Sequence, residues 1–205
     1  KADLNAAIAS LRKGEQKLKI LVRRHGTSNV HYYMQRLQEV ATESLSKAMQ
    51  VWRGQQLLAT ESLDDGHTIR LSVRIDEQIV VDFTGTDTPH PHNLNANISI
   101  VYSAILYVLR LLCAEELPLN EGLMQHVKVI LSESFLHPHF EDEAADCPAV
   151  VGGNTEVSQR LGDTLLKAFR LAACSQGTMN NFLFGNERFG YYETICGGTG
   201  AGASF

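Results

Sequence analysis

Ile69-Arg-Leu-Ser-Val-Arg-Ile75 is the segment on which the predicted fold of this chain rests. Its apolar residues alternate with polar ones, which predicts a strand that buries one face and exposes the other to solvent. Asp64-Asp65-Gly66 supplies a turn before it. Residues 79–83 predict a second strand after a tight turn at Glu77-Gln78. Together these segments predict an antiparallel meander.

The residues before the meander predict two helices. Residues 1–24 and 28–49 each carry apolar side chains at three- or four-residue spacing. His25-Gly26 is the predicted stop between them, and so short a link favours an antiparallel helical hairpin. The predicted apolar stripes are Leu4, Ile8, Leu11, Leu18 and Val22 in the first helix, and Val30, Met34, Leu37, Ala41, Leu45 and Ala48 in the second.

The second half of the chain predicts further elements around polar loops. A polar loop at residues 85–97 precedes an apolar helix at 98–113, a strand at 125–131 and a last helix that begins after Val150 and ends near Ala173. We therefore predict one α+β unit, with a helical hairpin at about 1–50 and a mixed part at about 51–205 in which buried helices pack on an antiparallel sheet. The last helix is expected to bury Val157, Leu161, Leu165, Ala168 and Ala172 and to pair Asp163 with Lys167 on its outside.

Composition and charge exclude several classes of protein. The 205 residues are 44% hydrophobic and 20% charged, which is typical of a globular domain that buries a core. A net charge of −5 argues against a nucleic-acid binder. Arg110 interrupts the apolar run at 98–114, so a buried helix is favoured over a membrane span. Without zinc or redox spacing, the cysteines indicate a reduced, cytoplasmic protein; they are Cys113, Cys147, Cys174 and Cys196.

Two histidine pairs are candidate metal ligands. His90-Pro-His92 and His137-Pro-His139 each place two imidazoles two residues apart, and in an extended chain both rings of a pair point the same way. No cysteine or acidic residue lies at ligand spacing near the first pair. The acidic residues after the second pair fit a solvated loop equally well. We therefore predict no metal site at either pair.

The Gly152-Gly153 dipeptide allows close approach of the backbone before the last helix. Asn154 or Thr155 is a natural N-cap there, and free N–H groups at a helix start can hold an anion or a developing oxyanion. Glu156 in the first turn would discourage an anion. A capped helix after a turn is the favoured interpretation.

The last part of the chain clusters polar groups. Gly190-Tyr-Tyr-Glu-Thr194 places a carboxylate beside two phenols, and Ser175-Gln-Gly-Thr-Met-Asn-Asn181 gathers hydroxyls and amides. Such groups can orient a substrate amide or position water, but a satisfied network of turns explains them equally well. Gly197-Gly-Thr-Gly-Ala-Gly202 lacks the residues that follow a phosphate-binding loop. Neither Cys174 nor Cys196 has a histidine near it in sequence, which disfavours a cysteine nucleophile.

Six strings of the sequence, taken in order, resemble the hydantoinase B/5-oxoprolinase family. They are Val81-Asp-Phe-Thr-Gly-Thr86, Asn93-Leu-Asn-Ala96, Ala149-Val-Val-Gly-Gly-Asn154, Ser158-Gln-Arg160, Ala173-Cys-Ser-Gln-Gly-Thr-Met-Asn-Asn181 and Gly190-Tyr-Tyr-Glu-Thr-Ile195. That family includes N-methylhydantoinase B subunits, the B half of 5-oxoprolinase and the alpha subunits of acetone carboxylases. Residues 180–185 and 197–202 resemble the oxoprolinase branch. Thr88-Pro-His-Pro-His92 departs from the Gln and Gly that family members often carry after Phe-x-Gly-Thr.

The resemblance implies ATP-coupled hydrolysis of a cyclic amide. A partner subunit or domain of the hydantoinase A type would bind ATP and phosphorylate the lactam oxygen. The B half would then add water and open the ring of 5-oxoproline or of a hydantoin. Two alternatives stay open: a subunit of an acetone-carboxylase-like enzyme, and an assembly domain without chemistry. The resemblance also implies an interior piece of a longer, oligomeric protein, inactive alone, whose upstream segment would hold a divalent metal.

The matching strings contain the candidate site residues. Glu193 is the candidate acid or base, and Arg160 is a candidate phosphate contact. The candidate amide donors to developing charge are Asn154, Gln159, Asn180 and Asn181. Further candidates for binding substrate or phosphate are Gly152, Gly153, Ser158 and Tyr192.

Overall fold

A computed structural model describes residues 1–113, 115–174 and 177–195. Its helices and strands, in chain order, are α1 (Ala2–His25), α2 (Thr27–Met49), β1 (Gln56–Ser62), β2 (Thr68–Ile75), β3 (Ile79–Asp82), α3 (Ile98–Leu112), β4 (Val127–Ile130), α4 (Glu156–Ala168), β5 (Asn180–Asn186) and β6 (Phe189–Ile195). The predicted α+β class is confirmed. Cys196, the glycine-rich run at 197–202 and Ser175-Gln176 lie outside the described residues.

The first four strands form one sheet in the order β1-β2-β3-β4, and β5 pairs with β6 in a separate hairpin. β2 pairs antiparallel with β1 and with β3, which confirms the predicted meander. β4 pairs with β3 in parallel, with Val81 opposite Val129, so the sheet is mixed rather than antiparallel as predicted. The connection at 83–126 contains α3, and a crossover of that length allows the chain to return in the same direction.

β1 is a strand that the sequence analysis did not identify. Its alternation of apolar and polar residues is weak, because both Leu58 and Ala59 are apolar, although Leu58 is 69% exposed and Ala59 is buried. Pairing with β2, which places Ala59 opposite Leu71, is what makes this segment a strand. A propensity that depends on the neighbouring strand leaves little trace in the sequence.

The core lies between one face of the sheet and the helices. α4 packs against β1 and β2, α3 packs against α4, and α2 packs against α3. β2 alternates as predicted: its isoleucines, leucine and valine are buried, while Arg70 and Arg74 are exposed. The largest fully buried side chains include Phe83, Ile105, Leu123, Phe135, Leu136, Leu161 and Leu165.

α3 begins at a capped end and buries one face. The Asn97 side chain accepts the backbone N–H of Ile100 at 3.2 Å, which satisfies one donor of the first turn. Val101 and Ile105 are fully buried, but Tyr107 is 59% exposed. The helix that was predicted to be buried is therefore exposed on the face that carries the tyrosines. No helix among the described residues has both the length and the apolarity to cross a bilayer.

α4 ends five residues earlier than predicted, where Arg170 takes a φ of 57°. Ala172 therefore lies beyond the helix and is exposed, although the other four residues of the predicted face are buried. Asp163, predicted on the outside, is buried. Lys167 is not its exposed partner but bonds to Glu61 of β1, because α4 lies across that strand.

The first two helices bury less than their apolar stripes predict. Gly26 alone joins them, at a φ of 80° that favours glycine. No residue of α1 is buried, and Leu11 is 74% exposed. The predicted face of α2 is buried at Ala41 and Leu45, but its first half is not. Periodicity reveals an apolar face without showing what covers it.

Candidate functional site

The loop at residues 85–97, which contains the matching string 93–96 and the end of the string 81–86, is hydrogen-bonded to β2. The Thr86 hydroxyl accepts the backbone N–H of Arg70 at 3.1 Å. The Asp87 carboxylate accepts the backbone N–H of Thr68 at 2.8 Å. These bonds lie at the start of β2, so the loop is held against the end of the sheet.

Asn95 is the hub of this loop and is fully buried. Its Oδ1 accepts the backbone N–H of His90 at 2.7 Å. Its Nδ2 lies within hydrogen-bond distance of three carbonyl oxygens, those of His90 at 2.9 Å, His92 at 3.0 Å and Ala149 at 3.0 Å. One side chain thereby joins the string at 93–96 to the string at 149–154. The sequence analysis did not single out Asn95, although it stands inside a matching string.

Gly152 and Gly153 bring a short 3-10 helix, Val151–Asn154, directly onto the 93–96 backbone. A Cβ on Gly152 would lie 2.6 Å from Leu94 Cδ2, and a Cβ on Gly153 would lie 2.2 Å from the Asn95 carbonyl oxygen. The Gly152 N–H donates to the Asn93 carbonyl at 2.8 Å. These predicted ligand-binding glycines therefore serve, within this chain, the close packing of two backbone segments.

Asn95→Ala is expected to reduce the free energy of opening of this junction by about 2 kcal/mol. The change leaves the buried N–H of His90 and the facing carbonyls without partners. Hydrogen exchange of the amides at 85–97 measures the effect. Asn93→Ala is the matched control, because that side chain is exposed and makes no hydrogen bond among the described residues. Equal exchange in both variants would contradict the role of Asn95.

Three predicted site residues lie where α4 begins. Asn154 is exposed, and Thr155, the N-cap residue, makes no side-chain capping bond. The Ser158 hydroxyl donates to the Asn154 and Thr155 carbonyls at 3.2 and 3.1 Å. The Gln159 amide donates to the Thr155 carbonyl at 3.2 Å. The hydroxyl of Ser158 and the amide of Gln159 are therefore occupied by backbone carbonyls at the start of α4 in this structure.

Arg160 belongs to a cluster of charges between α4 and the end of β1. Its Nη2 lies 4.0 Å from Asp64 Oδ1, and its buried Nε has no hydrogen-bond partner among the described residues. Burial raises the pKa of Glu61, but bonds from Lys167 and Cys174 and the charge of Arg160 lower it below its ordinary value. Burial, reinforced by Glu61, raises the pKa of the Cys174 thiol, so this environment disfavours a thiolate.

The remaining predicted residues lie on the β5–β6 hairpin; they are Asn180, Asn181, Tyr192 and Glu193. The register pairs Asn181 with Thr194 and Phe182 with Glu193. Directly paired residues share a face and successive residues alternate. Glu193 and Asn180 therefore lie on one face of the hairpin, whereas Asn181 and Tyr192 lie on the other.

Hydrogen bonds order both faces of the hairpin. The Tyr191 hydroxyl donates to Glu193 Oε2 at 2.7 Å, and this bond raises the pKa of Tyr191. On the other face, the hydroxyls of Tyr192 and Thr194 donate to Asn181 Oδ1 at 3.1 and 3.0 Å. Every residue of both strands is exposed within this chain. Glu193 is therefore an oriented, solvated carboxylate.

A contact before the hairpin ties this part of the chain to α4. The Thr178 hydroxyl donates to the Glu156 carboxylate at 3.1 Å, at the first turn of the helix. The first turn of α4 also carries Ser158 and Gln159. The structure thus connects the start of β5 with the part of α4 that holds predicted site residues.

A cluster that the sequence analysis missed joins the β1–β2 turn to the 85–97 loop. Asp65 Oδ2 lies 2.5 Å from His90 Nε2 and 3.0 Å from His67 Nδ1. His90 is buried, whereas Asp65 is exposed. The backbone N–H of His67, assisted by the His90 side chain, lowers the pKa of the Asp65 carboxyl despite an opposing effect of burial. No characteristic spacing in the sequence predicts this cluster, because the turn and the loop come together only in the folded chain.

The two histidine pairs are arranged differently from each other. The rings of His90 and His92 lie 5.6 Å apart, and His90 turns towards Asp65. His139 is strongly exposed and lies 3.9 Å from Glu141, in a solvated loop.

Known proteins match this chain over its whole length. The family model described as hydantoinase B/oxoprolinase matches residues 1–205. The chain is 39% identical to a 5-oxoprolinase of Dictyostelium discoideum over 215 residues, which cover 100% of the chain and 16% of that protein. It is 39% identical to a 5-oxoprolinase of Saccharomyces cerevisiae over 222 residues, which cover 98% of the chain and 17% of that protein. The chain therefore spans about one sixth of the length of these relatives.

A solved structure shares the fold. The chain superposes on the crystal structure of an ATP-dependent caprolactamase from Pseudomonas jessenii with a TM-score of 0.65. The match has 23% sequence identity and covers 94% of this chain and 35% of that one. The family model and the 5-oxoprolinase relatives agree with the six ordered strings, and the chain belongs to the hydantoinase B/oxoprolinase family.

Proposed function

We propose that the protein containing this sequence hydrolyses a cyclic amide in an ATP-dependent reaction, and that this chain is part of the B half that opens the activated ring. Similarity to 5-oxoprolinases over the whole chain carries the proposal. Within the fold, Asn95 and the paired glycines hold the 93–96 and 149–154 strings together.

The chemistry requires two parts. An amide is a poor electrophile, and phosphorylation of its oxygen creates a leaving group. We assign ATP binding and this phosphorylation to a hydantoinase A-type partner. The B half must then supply a base for the attacking water and donors for developing negative charge.

The hairpin supplies the proposed base. Glu193 is a carboxylate oriented by Tyr191, and it shares a face with Asn180. This arrangement can accept a proton and donate an amide hydrogen bond on one surface. Asn181 and Tyr192 lie on the opposite face of the hairpin, so they do not share a surface with Glu193.

α4 supplies the proposed phosphate contacts. Arg160 carries the positive charge, and its Nη2 atom lies 4.0 Å from the carboxylate of Asp64. Asn154 and Gln159 lie in or before the first turn of the same helix and supply amide groups. The proposed divalent metal belongs to another segment of the longer protein.

A second candidate function, assembly without chemistry, is favoured by the apolar hairpin. Leu183 is 62% exposed and Phe184 is 51% exposed, and they lie on opposite faces. A hairpin that is apolar on both faces is typical of a surface that another part of an assembly covers. In that function Glu193 would be structural.

The first experiment measures both products separately. The longest natural polypeptide that contains this sequence is incubated with its ATPase partner, ATP and 5-oxoproline. We expect ADP and glutamate in equal amounts, and neither product when the partner is left out. ADP without glutamate would mean that the lactam is activated but not opened, and would indicate another substrate. Neither product in the complete mixture would favour hydantoins, or a ketone with bicarbonate as in the carboxylase alternative.

A further inference from the structure

We propose that Asp65, His67 and His90 form a proton-transfer site in which the Nε2 atom of His67 accepts a proton from a bound molecule. The proposal goes beyond ring opening and does not depend on it. The cluster lies between the β1–β2 turn and the 85–97 loop, beside an open depression. The residues that line this depression with Asp65 and His67 are Gly66, Thr86, Asp87 and Thr88.

The backbone N–H of His92 determines which ring nitrogen of His90 carries the proton. Its N–H donates to His90 Nδ1 at 2.9 Å, so Nδ1 is the unprotonated acceptor. A neutral imidazole carries its proton on the other nitrogen. His90 therefore donates its Nε2–H to Asp65, 2.5 Å away. The His90 side chain is 3% exposed, which keeps this arrangement away from water.

The same arrangement argues against a metal ion at the cluster. The three ligand-type atoms lie within 4.8 Å of one another, as they would around an ion. A histidine bound to a metal donates its other ring N–H to an acceptor. His90 Nδ1 accepts a hydrogen bond instead, so an ion on Nε2 would require the loss of the bond from His92. The donor set fits a hydrogen-bonded cluster better than a metal site.

Asp65 in turn determines which ring nitrogen of His67 carries the proton. Its other oxygen, Oδ1, accepts the backbone N–H of His67 at 3.1 Å, and its lowered pKa keeps the group ionised at neutral pH. An ionised carboxylate can only accept hydrogen bonds. His67 Nδ1, 3.0 Å from Oδ2, therefore carries the proton and donates it. The lone pair of the neutral ring is left on Nε2, which has no hydrogen-bond partner in the described parts of the chain.

A histidine held through Nδ1 by a carboxylate is the arrangement of an oriented base. Nε2 would take a proton from the O–H or N–H of a bound molecule, and the resulting imidazolium would lie beside the negative charge of Asp65. The proton returns to the product when the imidazolium gives it up. The depression holds a second carboxylate, that of Asp87, and no cationic side chain among its lining residues. The lining therefore disfavours anions, and the ligand class that we assign to it is an uncharged molecule that donates a polar hydrogen.

Carbethoxylation by diethyl pyrocarbonate tests the protonation pattern, because the reagent attacks unprotonated imidazole nitrogens. The longest natural polypeptide is treated, and each histidine is quantified by mass spectrometry. We expect His67 to react, His90 to be protected, and the exposed His139 to serve as an internal reference. Asp65→Asn should slow the reaction of His67 by about tenfold, since the ring loses its fixed tautomer. Asp64→Asn, at the neighbouring exposed carboxylate, should leave the rate unchanged.

The outcomes separate the proposal from its rivals. An unreactive His67, or a rate that Asp65→Asn does not change, would overturn it. Protection of His67 by one equivalent of Zn²⁺, while the exposed His139 still reacts, would overturn it in favour of a metal site. Hydantoin, an uncharged ring with N–H groups, is the ligand probe: it should protect His67, and failure to do so would overturn the assigned ligand class. Continued protection of His90 shows that the variant is folded; if that is lost, Asp65→Ser replaces it.

Discussion

Gly153→Ala is expected to lower the free energy of opening of the junction between residues 93–96 and 151–154 by about 3 kcal/mol or more. The new Cβ would stand 2.2 Å from the Asn95 carbonyl oxygen and 2.8 Å from Ala96 Cα. Both are backbone atoms, so no change of side-chain rotamer relieves the clash. The two segments must separate, which weakens the hydrogen bond from Gly152 to Asn93.

Hydrogen exchange measures this local opening even within a long polypeptide. We expect the amides of both segments to exchange at least about a hundredfold faster in the variant. Gly162→Ala is the matched control, because a Cβ at that position in α4 meets nothing within 4 Å. Alanine in a helix interior should stabilise α4 by up to about 1 kcal/mol. If both variants behaved alike, the close approach at Gly153 would not matter for stability.

Glu193→Gln is expected to lower kcat for ring opening by about a hundredfold or more, if Glu193 is the base. Glutamine keeps the size of the side chain and can still accept the hydrogen bond from Tyr191, so the hairpin should keep its geometry. What it loses is the negative charge and the ability to take a proton from water. The physical effect is therefore on the chemical step rather than on folding.

Separate assays of ADP and glutamate check this expectation. Glutamate release should fall, while ATP hydrolysis by the partner continues or becomes uncoupled. Glu187→Gln is the control, since that carboxylate lies in the exposed turn between β5 and β6. Unchanged turnover in Glu193→Gln would mean that Glu193 is structural, and would favour the assembly function.

The sequence pattern was enough to locate helices and strands where apolar residues recur at a regular period. β2 and β3 lie where alternation predicts them, and α3 begins at the predicted residue, Ile98. β1 was missed because its strand character comes from pairing with β2. β4 was identified as a strand, but its parallel direction depends on the crossover through α3.

Charges on α4 show the limit of helical spacing. Asp163 and Lys167 are four residues apart, which predicts an exposed pair. In the fold, α4 lies across β1, so Asp163 is buried and Lys167 bonds to Glu61, 106 residues away in sequence. Spacing along one helix describes that helix alone, and the strand beneath it decides which side chains remain outside.

The α+β class and the strongest strands and helices could be predicted from sequence alone, as could the family, through six short strings in a fixed order. The contacts that those strings make are visible only in the folded chain. Asn95 bonds to Ala149 across 54 residues, and His90 bonds to Asp65 across 25. A hydrogen bond requires atoms about 3 Å apart. Separation along the sequence does not show which atoms come that close once the chain has folded back through a sheet. The residues of the strings could therefore be recognised from the sequence, but their contacts could not be predicted.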